Sequence, residues 1–237
     1  MKKIIIFICF LYTSLVSAGA PAPQDKSSLP KTPHTFNNLT NLSIGVEWDE
    51  VFINKYIFKS NAYKLIKPIT GGISIIKAKK HNDFSKFSGS YFWVDVMGLD
   101  SNNNERLVVS GVYGPGDLIT DVMKLIYNLN VYNGSNKLTL INDKALVRTN
   151  IRKKNVLNIV LEKSNKCNEL SNKFKVFSIS SNNKISKSTF EWNSKKVCEA
   201  NPKSVLFNGI FKDYKIKKLL WANIAEDQNF TITKNKE

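Results

Sequence analysis

Residues 113–129 read YGPGDLITDVMKLIYNL, and they decide the fold class because they interrupt a long series of short β-like segments. Asp117, just after the Gly-Pro-Gly turn, is a residue type that caps helices, and apolar residues then recur at helical spacing. Elsewhere the apolar runs are short, rich in β-branched and aromatic residues, and separated by Asn, Gly, Ser and Lys. The sequence therefore predicts one amphipathic helix, Leu118–Leu129, laid on a large sheet.

The remaining apolar runs predict the strands of that sheet. Short turns at Asn142–Lys144 and Arg152–Asn155 favour antiparallel hairpins. We expect an α+β fold that is predominantly antiparallel β, with the sheet strongly curved or closed into a barrel or cone, because closure removes exposed strand edges. A turn of helix at Lys215–Leu220 is an alternative to a strand start. The predicted strands are Ile44–Trp48, Tyr56–Ile66, Ile73–Ala78, Tyr91–Met97, Arg106–Tyr113, Leu138–Ile141, Ala145–Ile151, Val156–Glu162, Phe174–Ser180, Ile185–Trp192, Ser204–Phe211 and Leu219–Ala225.

The amino terminus has the pattern of a secretory signal peptide. Lys2 and Lys3 precede an apolar run, Ile4–Val16, that ends in small residues, and cleavage is expected after Ala18. An uncleaved anchor is the alternative, but the run is shorter than the roughly 20 apolar residues that cross a bilayer. We expect a secreted, periplasmic protein with no membrane span once the signal is removed.

Composition then divides the mature chain. Residues 19–40 contain four of the seven prolines and read as a linker. No second break of that kind follows, so residues 41–225 are predicted to form a single β-rich domain, and residues 226–237 a polar tail.

Two cysteines remain after the predicted cleavage removes Cys9. In an oxidising compartment Cys167 and Cys198 are expected to form a structural disulfide. The only histidines, His34 and His81, are far apart in sequence, so we expect no metal and no other cofactor.

The formal net charge of +16 first suggests an anionic partner. Only three of the 35 basic residues are arginine, however, and the lysines are scattered, which is typical of a solvated basic surface. We therefore expect no specific nucleic-acid partner. Attachment to anionic polymers of an envelope stays open as a separate hypothesis.

The order of elements around the helix resembles the acetoacetate decarboxylase superfamily. In that family a strand leads into a helix, a lysine-bearing turn and two antiparallel strands, which correspond here to Arg106–Tyr113, Leu118–Leu129, 130–137 and 138–151. The upstream segment Gly89–Val94 looks like the family's Gly-x-Tyr-x-Glu strand. The resemblance implies a curled sheet around a cavity, across roughly residues 42–225.

The resemblance also implies a chemistry, in which a lysine forms a Schiff base with a keto acid that then loses carbon dioxide. It assigns Lys137 as the Schiff-base candidate, Arg148 as the carboxylate clamp, and Asp95 or Glu47 as proton donor. The sequence departs from the family at this point. The turn lacks the Pro-Lys-Lys pattern, and the strand has Trp93 where the family has an acid.

Arginine and aromatic side chains are the remaining candidates for a ligand site. Arg106 offers a planar fork for a carboxylate, with an ordinary ion pair as the alternative. Core packing is the alternative explanation for the aromatic residues that would line a cavity, and it accounts for aromatic residues in most barrels. These ligand-binding candidates are Arg106, Trp93, Tyr91, Tyr113 and Tyr132.

Two functional classes follow from these patterns. The first is an acetoacetate decarboxylase-like protein that binds a small organic acid, with or without lysine-dependent decarboxylation. The second is a non-enzymatic periplasmic or envelope ligand-binding module with a basic surface. The sequence leaves the identity of the ligand and the oligomeric state open.

Overall fold

The computed structural model describes residues 25–57, 60–79, 84–99, 104–179 and 184–235. The predicted signal peptide lies outside these ranges. Within them the chain forms one ten-stranded sheet and two short helices. The strands are β1 (His34–Trp48), β2 (Tyr63–Leu65), β3 (Thr70–Ala78), β4 (Phe87–Gly98), β5 (Asn104–Tyr113), β6 (Val131–Ile141), β7 (Lys144–Ile151), β8 (Lys154–Ile179), β9 (Ile185–Phe207) and β10 (Ile216–Lys234).

The sheet is curved and mostly antiparallel, as predicted. Its strand order is β2-β4-β3-β1-β10-β9-β8-β5-β6-β7, and an additional β4–β5 pairing joins two distant members of that order. Seven strands, β4-β3-β1-β10-β9-β8-β5, therefore form a hydrogen-bonded ring. Only the β5–β6 and β5–β8 pairs are parallel among the described strands.

The predicted amphipathic helix is confirmed, although it ends earlier. Helix α2 (Leu118–Asp121) continues as a π-helical turn, Val122–Ile126. Its buried residues, among them Ile119, Val122 and Met123, pack into an apolar cluster that receives side chains from all seven ring strands. The helix thus covers part of the ring interior. A second apolar cluster lies on the other side of the sheet and includes Leu42, Ile44 and Phe92.

Helix α1 (Glu50–Tyr56) was not predicted, and it overlaps the start of the expected strand Tyr56–Ile66. The Asp49 carboxylate accepts a hydrogen bond from the Val51 amide at 2.8 Å and caps the helix. Phe52 is fully buried and stacks on Trp48 at 4.2 Å between ring centroids. Tertiary packing of this aromatic residue outweighs the β propensity of its neighbours. Among the described residues of the expected strand, Tyr63–Leu65 forms a strand of the sheet.

The predicted domain limits also change. Strand β1 begins at His34, inside the segment predicted as a linker, and His34 is buried. Strand β10 runs to Lys234, so most of the predicted polar tail is paired with β1 and β9. The two predicted strands on either side of residues 163–173 are one continuous β8. Likewise, Ile185–Trp192 and Ser204–Phe211 fall largely within β9, although Gly209–Phe211 forms a 3₁₀ turn.

Candidate functional site

Two adjoining cavities lie on the ring-facing side of the strands. The first, of about 30 Å³, has an almost entirely apolar lining that includes Phe36, Met123 and Tyr113. The second, of about 40 Å³, is mainly polar and includes Arg106. Tyr91 and Phe230 line both cavities. The interior of the curled sheet is therefore lined by apolar side chains near the helix, and polar side chains line the adjoining region.

Arg106 is the only charged side chain among the described residues that line the polar cavity. Its guanidinium carbon lies 4.8 Å from the Trp93 ring centroid and 4.1 Å from that of Phe174. Both contacts are within the range of cation–π attraction. The Arg106 side chain is 23% exposed, and its Nε lies 4.0 Å from an Asp95 carboxylate oxygen. Two aromatic rings and one carboxylate thus hold the guanidinium at the cavity.

Burial dominates the electrostatics of this arginine. It lowers the pKa of Arg106, while Tyr91 and Asp95 act in the opposite direction. Burial also raises the pKa of Tyr91, and the nearby Arg106 partly opposes that increase. Arginine keeps its charge in proteins, so the Arg106 guanidinium remains positive near neutral pH. Its positive charge is consequently only partly compensated by protein groups, which favours a bound anion.

Hydroxyl-bearing residues also line the polar cavity. Ser43 Oγ donates to Asn41 Oδ1 at 3.4 Å and lies 3.0 Å from Ser74 Oγ. Ser74 must therefore donate to Ser43, because each hydroxyl has one proton. Tyr91 lines the same cavity, and its interaction with Ser74 lowers the pKa of the phenol, which opposes the larger effect of burial.

Gln228 enters the same cavity from an irregular part of β10. The register between β1 and β10 shifts between Phe36/Leu39 and Leu39/Asn41, and Leu39 is the partner of Gln228. Asp227, immediately before it, has φ of 53°. Bulges of this kind redirect a side chain relative to the regular pleat. Gln228 is 2% exposed and lines the cavity.

The four predicted catalytic residues are not brought together. Lys137 and Arg148 are cross-strand partners on β6 and β7, and both are exposed. Lys137 lines two open surface grooves, and neither the two interior cavities nor these grooves include Asp95 or Glu47 in their lining. Lys137 thus lies at open surface grooves and not in an enclosed cavity.

The two predicted proton donors are each engaged elsewhere. Asp95 accepts a hydrogen bond from Thr70 Oγ1 at 2.7 Å and lies beside Arg106. Glu47 forms an ion pair with Lys217 at 2.7 Å. Asp95 therefore supports the arginine, while Glu47 holds β1 to β10.

The predicted ligand-binding residues divide into two groups. Arg106, Tyr91 and Trp93 lie together at the polar cavity or against its arginine, and Tyr113 lines the neighbouring apolar cavity. Tyr132 instead packs against the other apolar cluster, with its ring 5.4 Å from that of Phe211. It is absent from the lining of both interior cavities.

The sequence reasoning missed Gln228, Asn41 and the Ser43–Ser74 pair. These are common polar residues in strands, and no motif marks them. An alternation of polar with apolar residues in β1, where Asn41 and Ser43 flank Leu42, was the one available signal. It could equally have indicated a solvent-facing strand.

Other sequence-based expectations concern the chain outside this site. The disulfide between Cys167 and Cys198 is present and joins β8 to β9. Within the described ranges, no helix is long and apolar enough to cross a membrane. The same ranges contain no group of three or more His, Cys, Asp or Glu side chains placed to hold a metal.

Comparison with known proteins identifies the architecture. No protein-family model and no curated protein matches the chain by sequence. Acetoacetate decarboxylase from Legionella pneumophila is similar in structure, with a TM-score of 0.74 and 14% identity over 92% of each chain. The enduracididine biosynthesis enzyme MppR, complexed with pyruvate, has a TM-score of 0.66 and 5% identity over 90% of this chain and 91% of its own.

A third similar structure is an acetoacetate decarboxylase-like enzyme from Sphingomonas wittichii RW1. Its TM-score is 0.55, with 7% identity over 92% of this chain and 97% of its own. All three comparisons cover nearly the whole of both chains, so they concern the complete curved sheet and its helix. This chain has the acetoacetate decarboxylase-like fold.

Proposed function

We propose that this protein binds a small organic acid in the polar cavity, with the Arg106 guanidinium as the carboxylate-binding group. The observation that carries the proposal is a partly compensated arginine cation at an interior cavity, fixed between Trp93 and Phe174. Charge-assisted hydrogen bonds from a guanidinium to a carboxylate are among the stronger ones in proteins. The similar enzyme MppR is complexed with pyruvate, a small organic acid, which supports small organic acids as the ligand class here.

Binding is favoured over Schiff-base decarboxylation because of where the lysines lie. None of the lysines in the described ranges is buried, and none lines either interior cavity. An ordinary lysine must lose about three pKa units, on the order of 4 kcal/mol, to be substantially neutral near pH 7. A solvated amine has no source for that shift.

The proposal is tested by isothermal titration with propanoate and with its uncharged analogue propanamide. We expect propanoate to bind and propanamide to bind at least tenfold more weakly. Arg106→Gln removes the charge at similar length and should weaken propanoate binding by roughly 10- to 100-fold, since hydrogen bonds to charged groups contribute about 1.5–3 kcal/mol. Arg152→Gln, in the exposed β7–β8 turn, is the matched control. Unchanged affinity in Arg106→Gln would place any binding elsewhere.

A second candidate function is attachment to an anionic polymer through the surface. An open groove of about 550 Å³ between β6 and the β3–β4 hairpin is lined by Lys77, Lys86 and Lys137. Arg148 lies beside Lys137, and neither forms an ion pair with a described residue. Binding of heparin or polyphosphate that weakens steeply with added salt would support this function. The affinity of the interior cavity for propanoate should depend much less on salt, because buried charges are screened less.

Export is part of the proposed function. The pattern in residues 1–18 and the disulfide together support an oxidising compartment. Expression of the full chain in a bacterial host, with cell fractionation and amino-terminal sequencing, tests it. A periplasmic product that begins at Gly19 is expected, and a cytoplasmic product that retains Met1 would contradict export.

A further inference from the structure

Gln228 carries a buried hydrogen-bonding atom that the protein leaves unused. Its Oε1 is buried and has no hydrogen-bond partner among the described residues. A buried carbonyl oxygen without a donor costs free energy, so such atoms in folded proteins are normally partnered. The β-bulge at Asp227–Gln228 nevertheless directs this residue to the polar cavity. The lining of the cavity therefore includes a residue whose buried acceptor has no donor among the described residues.

The neighbouring hydroxyl groups do not supply that donor. Ser43 donates its proton to Asn41 Oδ1, which leaves the Ser74 proton for Ser43, and no described residue donates to Gln228 Oε1. Arg106 presents donors to the same cavity, and its charge favours an anion. A complementary ligand thus needs an anionic acceptor for Arg106 and a separate donor for Gln228.

The size of the cavity limits the ligand further. A volume of about 40 Å³ corresponds to roughly three water molecules by the space that each requires. A short acid with its donor close to the carboxylate fits this limit. A hydroxyl on the carbon next to the carboxylate gives the shortest such arrangement of a neutral donor.

We propose that the preferred ligand of this cavity is a short 2-hydroxy acid, with its carboxylate at Arg106 and its hydroxyl donating to Gln228 Oε1. The proposal rests on the proposed function, since it concerns the same cavity. A 2-keto acid of the same length presents only acceptors at that position, opposite the glutamine carbonyl. An unsubstituted acid leaves the glutamine oxygen unpaired.

Three acids with the same carbon skeleton separate the two proposals. Isothermal titration of the full mature chain is carried out with lactate (each enantiomer), propanoate and pyruvate. At least one lactate enantiomer should bind about tenfold or more tightly than both other acids, because a site with a buried polar group discriminates against analogues that leave it unpaired. If none of the acids binds, the proposed function itself fails. If all bind equally, acid binding stands and the hydroxy-acid preference is refuted.

Substitution of Gln228 tests whether the preference for lactate depends on this residue. Gln228→Met keeps the length and removes the acceptor, so lactate affinity should fall to within about twofold of propanoate affinity, with propanoate binding retained. Asn229→Ala, at the exposed neighbouring position, is the control and should keep the wild-type preference. If Gln228→Met does not fold, Gln228→Leu is measured in its place, and the wild-type series remains decisive. A lactate preference that survives loss of the acceptor would overturn the assignment.

Discussion

Removal of the disulfide should lower the stability of the protein by a predictable amount. Cys167 and Cys198 are 31 positions apart, and closing a loop of that length restricts the unfolded chain. The chain-entropy model gives about 3.5 kcal/mol for this restriction. A domain of 150–250 residues loses about 2–4 °C in melting temperature per kcal/mol. The double variant Cys167→Ala/Cys198→Ala should therefore melt about 7–14 °C below the oxidised protein.

The structure also predicts where the effect is concentrated. The β8–β9 register is irregular on both sides of the disulfide, between Lys163 and Cys167 and between Asn168 and Leu170. Val197, next to Cys198, lines the polar cavity. Loss of the covalent link should increase amide hydrogen exchange in this part of the β8–β9 hairpin more than in β3 or β4.

The assay is calorimetric or circular-dichroism melting of three samples: oxidised wild type, wild type under reducing conditions, and the double variant. Reduced wild type should match the double variant, and Ser171→Ala on the same exposed strand should match oxidised wild type. A difference below about 2 °C between oxidised and reduced protein would refute the reasoning. Such a small difference would mean either that residual β8–β9 pairing already restricts the unfolded chain, or that the disulfide also destabilises the folded state.

Three further outcomes follow from other contacts. Gly45→Ala places a methyl group 2.2 Å from the ring of Trp221, a residue that lines the polar cavity, is 44% exposed and can therefore move. The free energy of unfolding should fall by about 1–3 kcal/mol, and the displaced ring should weaken acid binding. Unchanged affinity in titration would remove Trp221 from the site. Burial raises the pKa of Tyr63 and of Tyr127 to about 12, above the ordinary value of 10.0, so the unfolded state loses these protons at lower pH than the folded state does. The free energy of unfolding measured with urea should therefore fall as pH rises from 10 to 12, and it should fall less in Tyr127→Phe. Constant stability over this pH range would contradict the prediction. Two lysines lower the pKa of Glu226 from its ordinary value of 4.5, so the ionised carboxylate stabilises the folded state. In urea unfolding, wild type should be more stable than Glu226→Gln at pH 6, and this difference should shrink as pH falls below 4.5. A difference that does not depend on pH would contradict the prediction.

The sequence predicted the parts of the fold that depend on local patterns. The helix after the Gly-Pro-Gly turn and the hairpin turns near Asn142 and Arg152 follow from spacing and turn chemistry. The curved sheet follows from the many antiparallel strands, because closure removes exposed edges. Asn142, Arg152 and Lys153 have positive φ, as tight two-residue turns require. The lengths of β8 and β9 could not be predicted, because polar residues 163–173 are extended only through pairing with a distant strand.

The site was harder to predict than the fold. Arg106, Tyr91 and Trp93 were named as ligand-binding candidates by residue type, and they lie close together because alternate residues of neighbouring strands share a face. Lys137 and Arg148 were placed by family resemblance, and the alternation of β6 and β7 turns both outward while Leu138 and Val147 face the core. Gln228 depends on a bulge, and a change of register by one residue is invisible in the sequence of a single strand.

The same geometry leads to a last prediction about chemistry. Schiff-base decarboxylation needs a neutral amine, and a solvated lysine with an ordinary pKa near 10.4 is neutral in only about 1 in 2,500 molecules at pH 7. Because every described lysine is at least partly exposed, we expect borohydride reduction in the presence of pyruvate to label lysines weakly and without preference. Mass spectrometry of tryptic peptides measures this labelling. The interior arginine can bind a carboxylate, but it cannot form the iminium that accepts electrons as carbon dioxide leaves. Strong labelling of a single lysine, blocked by propanoate, would contradict the binding role and restore decarboxylation as the function.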